Sequence, residues 1–106
     1  MDIHERQHTA VVINFFWGPG TATPESVNEE AALIAYEALE KAKVCSDTMN
    51  LVPRPTLRII NIRYVLKQLS KVGKKIMEGD TRIYHSCRGA VGVHYKSRIT
   101  MALMGI

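Results

Sequence analysis

VGVHYKSRITMAL, residues 91 to 103, is the stretch on which the fold reading turns. Its odd positions are Val91, Val93, Tyr95, Ser97, Ile99, Met101 and Leu103, and its even positions from Gly92 to Ala102 carry His94, Lys96, Arg98 and Thr100. Alternation of this length is the period of a strand with one face buried. The preceding TRIYHSCR, residues 81 to 88, alternates too: Ile83 and Cys87 share one parity, and Arg82, Tyr84, Ser86 and Arg88 the other. A hairpin joins the two economically. A two-residue loop at Gly89 and Ala90 puts Arg82 and Arg88 on the face of Val91 and Tyr95. A three-residue loop, Arg88 to Ala90 with Gly89 left-handed, instead pairs Ile83 with Tyr95 and Cys87 with Val91. The longer loop keeps both faces consistent. It gathers Arg82, Tyr84, Arg88, His94, Lys96 and Arg98 on the outer face, a surface that can grip phosphates and stack on a base.

Upstream, Ile59, Ile62, Leu66, Leu69, Val72 and Ile76 recur at helical steps between Leu57 and Glu78, and Gly79 closes the element. The β-branched start, LRIINIRYV, leaves a short strand over 57–62 as an alternative. On the solvent side Arg63, Lys67, Lys71, Lys74 and Lys75 form a stripe with no acid between them. Like charges at i,i+4 cost about 0.2 to 0.5 kcal/mol per pair. A solvated surface tolerates that penalty, and a phosphate backbone reverses it.

SDTMNLVPRP, residues 46 to 55, reads as a connector because Pro53 and Pro55 disfavour helix on their N-terminal side. Before it, Thr23, Pro24 and Glu25 read as an N-cap, a first-turn proline and a favourable acid. The helix they predict runs to about Val44 and buries Val27, Ala31, Ile34, Ala35, Ala38, Ala42 and Cys45. The GPGTATP turn, residues 18 to 24, lacks the GxxxxGK[ST] pattern of a phosphate loop, and Glu25, Glu29 and Glu30 would repel phosphate. Thr9 to Trp17, TAVVINFFW, is β-branched and aromatic on both parities, as expected of a strand covered on both faces.

HERQH, residues 4 to 8, spells the His-Glu-x-x-His pattern of zinc peptidases, in which a helix aims two imidazoles at one metal and the glutamate activates its water. With a strand expected from Thr9, the helix would have to fit into the first eight residues, where short helices are marginal. Residues 1–8 therefore read as a flexible lead-in, and no metal site or cofactor is expected.

The chain has 106 residues, 46% hydrophobic and 23% charged, suited to a single domain over 1–106 with a modest core. Neither a signal-peptide order nor a spanning apolar run is present, so a cytoplasmic, intracellular protein with no membrane partner is expected. Two cysteines, Cys45 and Cys87, stand far apart with no CxxC partner and read as free, partly buried thiols. The net charge of +4 conceals a split. Residues 1–53 hold eight acids and three bases, a net of −5, whereas residues 54–106 hold eleven bases and two acids, a net of +9.

These readings combine into an α+β fold of β-α-α-β-β order, with two helices on one face of a small, mainly antiparallel sheet. The expected function is non-catalytic nucleic-acid binding, RNA or DNA, through Arg63, Lys67, Lys71, Lys74, Lys75, Arg82, Tyr84, Arg88, His94, Lys96 and Arg98. One alternative is a regulatory interaction module or inhibitor that binds an acidic protein. Its charge split would also permit a homodimer, the Glu-rich helix of one copy meeting the Lys-rich helix of another. A second alternative is a small metal-independent ribonuclease using His85, His94, Tyr84 and Tyr95 with the nearby cations.

Overall fold

A computed structural model of the chain describes residues 1–42, 62–85 and 87–105, the side chains of residues 83, 90 and 92–94 excepted. The elements are helices α1 (Ile3–Trp17), α2 (Glu29–Lys41), α3 (Ile62–Met77), the single turn α4 (Arg82–His85) and α5 (Arg88–Leu103). No strand occurs among the described residues, so the expected α+β sandwich, its β-α-α-β-β order and its antiparallel sheet give way to an all-helical packing. The connector expected at 46–55, and the strand alternative up to residue 61, lie outside the described residues.

The decisive stretch folds as α5. Val91, Tyr95, Ile99 and Ala102 are buried, whereas Ser97 and Met101 are exposed. Positions 91, 95 and 99 are spaced by four, which satisfies a strand's parity and a helix's stripe equally. The discriminating residues are the others. A strand would bury Ser97 and Met101 and expose Ala102; the helix does the reverse.

The expected strand at 9–17 is likewise the body of α1, whose start includes residues 3–8. Asp2 caps it: its carboxylate accepts the Glu5 N–H at 2.8 Å, while Glu5 Oε1 accepts the Asp2 N–H at 2.9 Å, a reciprocal capping box. Thr9, Ala10, Val12, Ile13, Phe16 and Trp17 are buried and Val11 and Phe15 half-buried, so most of the helix circumference is covered. A helix apolar all round belongs inside a bundle. Such a run shows neither period, and here tertiary burial overrides its β propensity.

The chain leaves α1 at Gly18, whose φ of 115° lies in the region that favours glycine. Asn14 then clamps the loop with two bonds of 2.8 Å, its Nδ2 donating to the Ala22 carbonyl and its Oδ1 accepting the Ala22 N–H. Arg6 Nη1 donates to the Val27 carbonyl at 2.8 Å. Polar residues of α1 thus hold the loop back against their own helix. Thr23 and Ser26 exchange bonds in a turn rather than capping a helix, and the N-cap of α2 is Asn28, whose Oδ1 accepts the Ala31 N–H at 2.9 Å.

The Nδ2 of Asn28 donates to the Ala102 carbonyl at 2.7 Å, and Glu37 pairs with Arg98 at 3.2 Å. The start of α2 therefore meets the end of α5, and the two helices run antiparallel. Buried Ala31, Ala32, Ala35 and Ala38 bring α2 close to its neighbours, with Tyr36 and Leu39 filling the core.

Helix α3 packs on α1 through Val65, Leu66, Leu69 and Val72. The two helices come close at Gly73, where an added Cβ would stand 2.7 Å from the His8 carbonyl oxygen. Gly79, at φ 85°, ends α3: its N–H reaches the Ile76 carbonyl, and the Asp80 N–H reaches that of Lys75. This double bond pattern is the usual glycine-dependent helix stop. Cys87 is disulfide-bonded and fully buried, which overturns the free-thiol expectation for it; Cys45 lies outside the described residues.

Candidate nucleic-acid interface

Helix α3 separates its two faces more sharply than any other described helix. Val65, Leu66, Gln68, Leu69, Val72 and Gly73 are buried, while Arg63, Lys67, Lys71, Lys74 and Lys75 are exposed. Before Met77, every exposed residue of α3 is a lysine or arginine. At 1.5 Å per residue the stripe from Arg63 to Lys75 extends about 18 Å along a straight rod. The helix itself contains no acid.

The second half of the expected site does not assemble as a face. Tyr84 is 2% exposed and packs against Phe15 and Phe16, so it offers no surface for base stacking. Burial, with Asp80 nearby, pushes its phenol above the ordinary range. Lys96 and Arg98 are exposed, but two residues apart on a helix they diverge by about 200°. Arg98 is further committed, to Glu37 of α2 and to the ring of Tyr95 at 5.5 Å. Arg82 is exposed on α4, and the Arg88 guanidinium lies over the Phe15 ring at 4.9 Å. The His94 side chain is outside those described. The hairpin face thus gives way to separated cations, and the α3 stripe remains intact.

For the ribonuclease alternative, Tyr95 is buried as a strand reading also had it, but His85 is exposed. Its Nε2 stands 3.2 Å from Thr81 Oγ1, and its ring packs against Phe15 at 5.3 Å. The corner of Phe15, His85 and Arg88 was not legible in the sequence because it joins residues more than sixty positions apart.

The HERQH segment is helical after all, as the first turns of α1. Glu5 is engaged in the capping box, His4 is exposed and His8 is buried against Gly73. The two rings stand 6.4 Å apart. Among the described residues no three His, Cys, Asp or Glu side chains gather as metal ligands. Among the described residues the buried His8 Nδ1 has no hydrogen-bond partner, and desolvation, reinforced by Lys74 and His4, holds the imidazole below its ordinary pKa.

A lowered folded pKa means that the unfolded chain takes up the proton first. Stability is therefore expected to be level above about pH 6.5, the ordinary histidine value, and to fall as pH drops below it toward the folded value. Thermal melts of the wild type and His8→Gln between pH 7.5 and about 5 check this. The variant should lose part of the acid sensitivity; identical slopes would refute the assignment to His8.

One concavity adjoins the stripe. It measures about 570 Å³ and is lined by Glu5 of α1 and by Arg63, Tyr64, Lys67 and Ser70 of α3. Sequence reasoning passed over Tyr64, which falls between the charged stripe and the apolar one. Among the described residues no helix is long and apolar enough to cross a membrane. Comparisons with family models, with curated proteins and with solved structures found no match.

Proposed function

We propose that the protein binds nucleic acid without catalysing its cleavage, through the cationic stripe of α3. The observation that carries this reading is that the exposed residues from Arg63 to Lys75 are all Lys or Arg, on one rigid helix. Phosphates at regular intervals relieve the mutual repulsion of such a row and release counterions. An acidic protein is a poorer match for this surface. Protein interfaces draw most of their affinity from several buried apolar or aromatic anchors, and the one aromatic side chain of α3 beside the stripe is the half-buried Tyr64. Arg82, Arg88 and Lys96 are secondary contacts at most in this reading, and Tyr84 and Arg98 drop out of it.

The expected cytoplasmic location is not part of the proposal. Cys87 is disulfide-bonded, and disulfides persist in oxidising surroundings and are rare in the reducing cytosol.

Fluorescence-anisotropy titration of the purified, nuclease-treated protein with short RNA and DNA, single- and double-stranded, tests the reading at about 50 and 200 mM salt. Engagement of all five cations by duplex phosphates corresponds to a log-log salt slope of about −4.5, a loss of roughly several hundredfold across that range. Lys67→Gln/Lys71→Gln should make the slope shallower by about two units. No binding at the lower salt, or binding indifferent to these lysines, overturns the proposal.

A further inference from the structure

We infer that the concavity between α1 and α3 receives an unstacked nucleobase from a single strand tracking along the α3 stripe. The inference rests on the nucleic-acid reading and names the form of ligand that reading leaves open. Its basis is the conjunction of three chemistries in one depression of about 570 Å³. Tyr64, half-buried and packed in part against the core, is the aromatic residue on the wall; the tyrosines at 36, 84 and 95 are all buried. Base-on-aromatic stacking is the usual way such a surface captures single strands, because every base has a π-face.

Lys67 and Arg63 stand at the same depression and belong to the stripe, so a strand held by its phosphates would bring a base to the ring without leaving the cationic track. The remaining wall is polar. Ser70 adds a hydroxyl from the next turn of α3, and Glu5 adds a carboxylate from α1. The capping box orients that carboxylate, since Glu5 Oε1 already accepts the Asp2 N–H at 2.9 Å. A carboxylate accepts hydrogen bonds and repels phosphate, so it suits the amino edge of a base and not the backbone. The depression is therefore divided by chemistry, with cations at the stripe and an acceptor at the α1 wall. A duplex keeps its bases stacked and paired, and cannot fill it without flipping one out.

The test compares wild type, Tyr64→Leu, Tyr64→Phe and Ser70→Gln in anisotropy titrations with a ten-nucleotide oligo(dC) and a mixed-sequence duplex of the same length. Circular dichroism melts verify folding. Tyr64→Leu is expected to weaken single-strand binding about tenfold or more, the scale of one lost stacking contact, with duplex affinity changed less than about twofold. Tyr64→Phe retains the ring and should bind as wild type does. Ser70→Gln narrows the depression without touching Tyr64, so it decides the matter if Tyr64→Leu proves unstable; it should reproduce the selective loss. Equal effects of these variants on both ligands, or no effect on either, overturn the pocket while leaving the stripe intact. Failure of the wild type to bind either ligand overturns the stripe and the pocket together.

Discussion

Gly73→Ala is expected to destabilise the protein by about 1 to 3 kcal/mol, the range for overpacking a tight interface, and Gly73→Val by more. Alanine for glycine inside a helix ordinarily stabilises by up to about 1 kcal/mol, because the glycine backbone loses more freedom on folding. Geometry reverses the sign here. The added Cβ would stand 2.7 Å from the His8 carbonyl oxygen and 3.0 Å from its Cα and Cβ, and the first two atoms are backbone. Neither can yield by changing rotamer, so α1 and α3 must separate. That separation opens the interface lined by Val65, Leu66, Leu69 and Val72.

Gly89, on the first turn of α5, is the internal control. A Cβ there meets nothing within 4 Å, and Gly89→Ala should be neutral or mildly stabilising. Urea unfolding of the two variants reads the contrast. If Gly73→Ala matched Gly89→Ala, the close contact of α1 with α3 would be wrong.

Reduction of the disulfide at Cys87 is the second large effect, with an expected loss of about 2 to 4 kcal/mol. Cys87 is fully buried just before α5, beside the elements that carry Tyr84 and Val91. A cross-link there limits the unfolded chain, and a reduced thiol leaves the folded core otherwise filled. Thermal melts with and without a thiol reductant should show a clear drop in Tm. Alkylation of the unfolded protein without reductant should leave Cys87 unlabelled, and labelling after reduction should reveal it. An unchanged Tm together with a freely alkylated Cys87 would restore the free-thiol reading and remove the objection to a cytosolic location.

The sequence by itself determined the elements whose signals are local. The amphipathic period and basic stripe of α3, the glycine stop at Gly79 and the helical stretch within α2 could all be read from residues near one another in the chain. Each is fixed by backbone geometry and by the spacing of apolar residues, which no distant contact alters. The stripe is also the part of the candidate site that survives folding, because five cations on one face of one helix need no other element to bring them together.

Tertiary structure decided the rest. TAVVINFFW could be a strand between layers or a helix among helices, and only its burial against α3 and α5 makes it α1. Val91, Tyr95 and Ile99 obey both periods at once, so the choice between hairpin and helix fell to packing, which buries Ala102 against α2 and leaves Met101 in water. The same choice dispersed the expected hairpin cations, while the packing of α1 on α3 brought Glu5 to the edge of the stripe beside Tyr64. The physical reason is common to these cases. A side-chain period reports which residues seek burial, but where periods coincide or apolar residues run without interruption, the identity of the covering surface selects the conformation.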